Sequence, residues 1–161
     1  MTPHRFLDAG LAVTGKLAPD DFAALARQGF RSVISNRIDG EEPGQLTAWQ
    51  EAALAWRAGL TFRHVPAAKH EVLDADFVDA LSEALAAVPG PVLLHCKSGM
   101  RSTIIWAAVV IRDGRDIEEV LAAAKAAGFD LEAVRQEILE SAANGLGLPD
   151  CTEKQGCMAA A

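Results

Sequence analysis

The chain has 161 residues, half of them hydrophobic and 23% charged, the proportions of one globular domain with a full core rather than of a disordered segment. Its formal net charge is −7, which excludes a general affinity for nucleic acid or for anionic membrane but leaves room for a local anion cradle. Three cysteines make no disulfide framework, so a reducing, cytoplasmic setting is expected. Residues 1–17 show no long apolar run behind basic residues, and the longest apolar stretch, Ile104 to Ile111, is far too short to span a bilayer.

In chain order, Phe6 to Thr14 reads as an opening strand or hairpin. Pro19 to Arg27 reads as a helix, with Pro19 early, Asp20 and Asp21 in the first turn and Gly29 as the stop. Arg31 to Ser35 is a short strand, followed by a polar, turn-rich loop from Asn36 to Gln45. Thr47 and Gln50 form a capping-box pattern that opens a helix ending near Gly59. Thr61 to Val65 is a strand stopped by Pro66. Asp74 is expected to cap a helix through Val88 with Phe77, Val78, Leu81 and Leu85 on one face.

Val92 to His95 is a short apolar run of the kind found in buried parallel strands. The chain is helical again after Arg101, through Arg112, and two more helices are expected at Asp116–Ala127 and Leu131–Ala143. Strands separated by helices predict one α/β domain over residues 1–145, with a mainly parallel four- to five-stranded sheet flanked by helices. Residues 146–161 are expected to form a frayed tail.

The segment carrying chemistry is His95-Cys96-Lys97-Ser98-Gly99-Met100-Arg101-Ser102. It leaves a buried strand and opens a helix, so it sits where open α/β sheets bind ligands. A loop wrapping onto a helix N-terminus aims several backbone N–H groups at one point, and those dipoles favour a thiolate at Cys96. Arg101 adds a planar charge that can hold an oxyanion in bidentate fashion. Gly99 permits the tight turn. Lys97, Ser98, Gly99 and Met100 would line the anion site, and Ser102 would donate to the leaving thiolate. The competing reading of Cys96 is a small buried apolar side chain.

Beyond the loop, the chain resembles the phosphatase-like domains of beta-lactamase-hydrolase-like proteins, a family also named for sulfur transfer. The matching stretches are Leu17–Phe22, Gly29–Arg37, Asp39–Gln45, Ala58–Leu60, His64–Pro66 and Gly90–Trp106. The resemblance implies a dual-specificity-phosphatase-like fold with Cys96 as nucleophile and Arg101 as anion binder. Two departures bear on the reaction. Four residues, Lys97 to Met100, separate the cysteine from the arginine, one fewer than in tyrosine phosphatases and closer to the rhodaneses. The upstream loop Val65–Glu71 also lacks the aspartate that such phosphatases use as general acid, leaving His70 and Glu71 as substitutes or as ordinary surface residues.

The leading expectation is therefore sulfur transfer through a Cys96 persulfide, from a small anionic or persulfide donor to a thiol acceptor. The alternatives are a phosphatase working through a phosphocysteine at Cys96 and an inactive module that docks an anionic partner. No metal and no cofactor is expected, because His64 and His70 lack further ligands nearby. His95 is expected to hydrogen-bond within the loop. Arg37, Asp39 and Glu41 are expected either to pair and shape the pocket rim or to form a solvated turn. Trp49, Trp56 and Trp106 are expected in the core. Cys151 and Cys157 in the tail are distant candidates for resolving an oxidised Cys96.

Overall fold

The computed structural model describes residues 3–145. The tail and its two cysteines, Cys151 and Cys157, lie outside the described residues.

Five strands, β1 (Arg5–Asp8), β2 (Leu11–Thr14), β3 (Ser32–Ser35), β4 (Thr61–His64) and β5 (Val92–His95), form one sheet in the order β1-β2-β5-β3-β4. Only β1 runs antiparallel to its neighbour, as the outer arm of the opening hairpin; the other pairings are parallel. The strand that delivers the cysteine loop is thus central. Its last residue, His95, stands in register between Thr14 of β2 and Ser35 of β3.

Strand alternation decides what each residue faces. On β5, Val92 and Leu94 enter the larger core with Val13 and Ile34. That core is covered by α3 (Ala75–Ala87), α4 (Met100–Arg112), α5 (Ile117–Ala126) and α6 (Arg135–Asn144). Leu93 enters a smaller core with Ala12 and Val33, covered by α1 (Pro19–Arg27) and α2 (Ala48–Arg57). Continuing the alternation, His95 faces α2 while Cys96 faces the α4 side.

Most helix ends follow the sequence signals. Thr47 and Gln50 exchange capping bonds at the start of α2, and Asp116 accepts from Glu118 and Glu119 at the start of α5. Asp74 precedes α3 in extended conformation, but its side chain makes no capping bond. Helix α4 begins at Met100, so Arg101 lies inside its first turn and not before it.

Trp106 packs at the centre of the larger core, as expected, and is fully buried. Trp49 and Trp56 do not. They are 79% and 81% exposed, because the face of α2 that meets the sheet carries Glu51 and Ala55, and both indoles lie on the opposite side.

Truncation of the fully buried Trp106 removes its contacts and leaves a cavity in the larger core. Trp106→Ala is expected to cost about 3–5 kcal/mol of stability, read as a lower denaturation midpoint with an unchanged slope.

Candidate active site

The cysteine loop is built by three constraints. Thr14 accepts the Cys96 N–H (3.4 Å) and His95 accepts that of Asn36 (2.8 Å), so the ends of β2 and β3 extend their pairing to the loop's first residue. Gly99 then turns at φ +92°, a conformation that costs a residue with a Cβ, and a Cβ there would also meet the Phe129 ring at 2.8 Å. Thr103 Oγ1 donates to the Gly99 carbonyl (2.8 Å), tying the turn to the first turn of α4.

This geometry brings the Gly99 N–H onto Cys96 Sγ at 3.1 Å. The sulfur is buried, 1% exposed, at the N-terminal end of α4, where a partial positive charge stabilises an anion. Burial opposes the charge on Arg101, and Cys96 is among the groups that favour it. The loop lines a cleft of about 370 Å³ bounded by Lys69, Lys97, Ser98, Met100, Arg101 and Ile104.

Arg101 is held from four sides. Glu41 grips it in bidentate fashion, Oε1 on Nη1 and Oε2 on Nη2 (the latter at 2.9 Å). The carbonyls of Ala67 (2.8 Å) and Asn36 (3.3 Å) also accept from Nη1. These contacts use both Nη1 hydrogens and one on Nη2. The Nε–H and the remaining Nη2–H share the opposite edge of the plane and have no hydrogen-bonded acceptor oxygen among the described residues, which suits that edge to an oxyanion.

The pairing holds the Glu41 carboxyl at about 2, below its ordinary 4.5. The Arg101 bond does most of this against the opposing effect of burial, with help from the Ile38 N–H. In return, Glu41 raises the pKa of Arg101, again against burial.

Beside this pair, Glu42 gathers three cations: Arg37 Nη2 (2.8 Å), Lys16 Nζ (2.9 Å) and Lys97 Nζ (3.1 Å). Hydrogen bonds from Lys16 and Lys97 bring its carboxyl to about 2. Arg37 also donates to Gln45 (2.7 Å). Of the two readings of the Arg37–Glu41 loop, the structure realises the paired one: Arg37 and Glu41 lie 3.6 Å apart, while Asp39 turns away to accept the Ala48 N–H of α2 (2.8 Å).

The remaining residues singled out in the sequence divide. Lys97, Ser98 and Met100 line the cleft with Arg101. Ser102 does not serve the sulfur; its buried hydroxyl donates to Asn36 Oδ1 (2.7 Å). His70 borders an adjoining cleft with Glu41, Lys97 and Arg101. Glu71 is not among the residues bounding either cleft and lies 3.5 Å from His70 as its partner. His95 bonds across the sheet to Glu51 of α2 (3.1 Å, both buried) and not within its own loop. His64 bonds the Arg37 carbonyl (2.7 Å). No cluster of three metal-ligating side chains occurs among the described residues, and no described helix is long and apolar enough to cross a membrane.

Sequence reasoning missed Asn36, whose amide joins Ser102 to the Val65 carbonyl (3.0 Å), and Lys69, which borders both clefts. Asn36 does carry a signal, being a fully buried polar residue at the end of a buried strand.

With this geometry in hand, comparison with known proteins is informative. Residues 3–112 match the family described as "Beta-lactamase hydrolase-like protein, phosphatase-like domain". A beta-lactamase hydrolase-like protein of Xylella fastidiosa (strain Temecula1) is 43% identical over 122 residues, which is 75% of this chain but 28% of the relative. The chain thus spans little more than a quarter of the curated relatives it matches. Among solved structures, a candidate phosphatase of Neisseria meningitidis Z2491 superposes with a TM-score of 0.76 at 28% identity, covering 85% of this chain and 96% of that one. The protein named Tk-PTP shares the fold, with a TM-score of 0.63 at 20% identity over 88% of this chain and 96% of that one.

Because its folded-state carboxyl is depressed, Glu41 contributes stability that is fully present above about pH 4.5 and is lost as the pH falls toward 2. The unfolding free energies of the native chain and Glu41→Gln are therefore expected to differ most at neutral pH and to converge in acid. A difference that does not vary with pH would show that the clamp has no ionic component.

Proposed function

Since the chain belongs to the phosphatase-like domain family of the beta-lactamase hydrolase-like proteins, we propose that it is a cysteine-dependent phosphatase of the tyrosine-phosphatase-like class, with Cys96 as nucleophile. The observation that carries this reading is the Gly99 N–H bonded to the Cys96 sulfur just ahead of the α4 N-terminus, with Arg101 in the first turn of the same helix. In the proposed reaction the Cys96 thiolate attacks the phosphorus of a phosphomonoester. The phosphorus–oxygen bond to the leaving group breaks, and the leaving oxygen takes a proton. Water then hydrolyses the phosphocysteine and restores the thiolate. The open edge of Arg101 and the loop N–H groups hold the equatorial oxygens as charge builds on them.

A second reading, sulfur transfer, is favoured by a specific observation. The carboxylates bordering the clefts are Glu41 and Glu42, both held near 2 by cations and so unable to donate a proton at neutral pH. Sulfur transfer needs no such acid. The Cys96 thiolate would attack the sulfane sulfur of a thiosulfate-like donor, sulfite would leave with the electron pair, and a thiol would take the terminal sulfur from the resulting persulfide. The short Cys-x4-Arg loop is compatible with either.

Aryl phosphate turnover that Cys96→Ser reduces to background, and that Arg101→Lys lowers about 10²–10³-fold, is the outcome expected of the phosphatase. Mass spectrometry of thiosulfate-treated protein separates the two readings: a gain of one sulfur on Cys96 without aryl phosphate turnover selects sulfur transfer. Binding of phosphate with neither reaction would identify an inactive module.

Among the groups bordering the clefts, His70 is the proposed proton donor. His70→Ala is expected to leave hydrolysis of an aryl phosphate with an acidic leaving group nearly unchanged and to slow an alkyl phosphate about 10²-fold. Equal effects on both substrates would remove His70 from the mechanism.

A further inference from the structure

The cleft beside the cysteine loop is polar at one end and aliphatic along its wall. Arg101 and Ser98 are the polar points. Met100 and Ile104 lie one turn apart on the same face of α4 and form a wall about 6 Å long. Lys69 and Lys97 complete the lining, and each brings an aliphatic stem beneath its charge. Glu42 holds the Lys97 ammonium at 3.1 Å. None of the residues bounding this cleft or the adjoining one is aromatic.

Exposed apolar side chains gather at this site. Of the large apolar residues exposed among the described residues, Met100 (37%) borders the first cleft and Ile38 (39%) the second. Apolar surface left in water around a few convergent polar groups is the mark of a ligand groove. The two wall residues also differ in stiffness. Ile104 is anchored, because it packs against the larger core, whereas the unbranched Met100 can adapt its shape to what lies on it. The cleft volume, about 370 Å³, stands at the small end of ligand pockets and suits a small molecule rather than a long lipid tail.

From this we infer that the site takes a small amphiphile: an anionic phosphoryl head at the Cys96–Arg101 loop and a short, unbranched aliphatic chain along Met100 and Ile104. Met100 is the specificity-determining residue. The phosphoryl head rests on the phosphatase reading above; the aliphatic wall is the same whichever reaction follows. A sugar phosphate would press hydroxyls against methyl and methylene groups that offer them no hydrogen bond. A phenyl ring would find no aromatic face to stack on, while a flexible chain can follow the side chains of Met100 and Ile104.

The test is calorimetric titration of the full chain with n-alkylphosphonates, whose carbon–phosphorus bond does not hydrolyse, so that binding is read apart from turnover. From methylphosphonate to hexylphosphonate the dissociation constant is expected to fall about twofold to fourfold per methylene, and to level off for longer chains once the cleft is filled. Hexylphosphonate is expected to bind more tightly than phenylphosphonate, which has the same number of carbons. Met100→Gln keeps the length of this exposed side chain and is expected to weaken hexylphosphonate about fivefold or more beyond any effect on methylphosphonate. Affinity that does not depend on chain length overturns the inference, as does equal weakening of both ligands by Met100→Gln, tighter binding of phenylphosphonate, or no binding of any of them. Hydrolysis of the matching alkyl phosphates separates the two proposals. Chain-dependent binding without hydrolysis upholds the aliphatic wall and removes the phosphatase; hydrolysis with chain-independent binding does the reverse.

Discussion

The Arg101–Glu41 pair is the contact on which the site depends. Through it the first turn of α4 is fastened to the loop after β3, and through the Asn36 and Ala67 carbonyls the same guanidinium also fixes the C-terminal ends of β3 and β4. A buried guanidinium is costly to desolvate, and it is tolerated here because its Nη donors meet a carboxylate and two carbonyls in good geometry. The arrangement also sorts its donors. Structural contacts take one edge of the plane and leave the Nε edge without an oxygen acceptor among the described residues. A lysine could supply the charge but could not divide its donors between a fixed clamp and an open face.

The sheet order explains why so much converges at this point. Placing β5 between two parallel neighbours puts its C-terminal end at the middle of the sheet, where the loops after β2, β3 and β4 all arrive. Each contributes: Thr14 and Gly15 back the cysteine loop, Asn36 to Glu42 supply the clamp and Arg37, and Ala67 to His70 form the far rim. The alternation of β5 then separates two tasks. His95 anchors the strand end to Glu51 on the α2 layer, and Cys96, one residue on, emerges toward α4. The charges around the clefts are locally cationic although the chain as a whole carries −7.

Much of this was legible in the sequence because it rests on local signals. The capping pair Thr47–Gln50, the Pro19 start of α1, the apolar run of β5 and the turn at Gly99 each fix a boundary through their own backbone chemistry. The Cys-x4-Arg loop could be read as a cradle for the same reason. What escaped were pairings between distant segments. Nothing in the spacing of Glu51 says that it inserts beneath the sheet to meet His95, and this inversion explains why the Trp49 and Trp56 expectation failed. Large aromatic residues ordinarily take the buried face of an amphipathic helix; here a carboxylate and an alanine take it, and the indoles face outward. The bond from Ser102 to Asn36 escaped for the same reason, since Asn36 follows β3 and lies far from α4 in the chain.

The choice between phosphoryl and sulfur transfer turns on what a loop one residue short can still surround. A tetrahedral phosphoryl group needs donors around three equatorial oxygens, whereas a persulfide needs stabilisation of one terminal sulfur. The Gly99 N–H is committed to Cys96 Sγ, and the Met100 N–H is turned toward Ser98 Oγ at 3.4 Å. On the proposed reading, the open Arg101 edge therefore bears more of the anion than it would in a longer loop. That shifts the burden of recognition from backbone dipoles, which hold any anion of suitable size, to a guanidinium fork that prefers two oxygens in a plane. Phosphate and thiosulfate both offer such a pair. The discriminating element is then the proton supply: Glu41 and Glu42 are held as anions by the cations beside them, which leaves His70 as the proposed donor at the clefts.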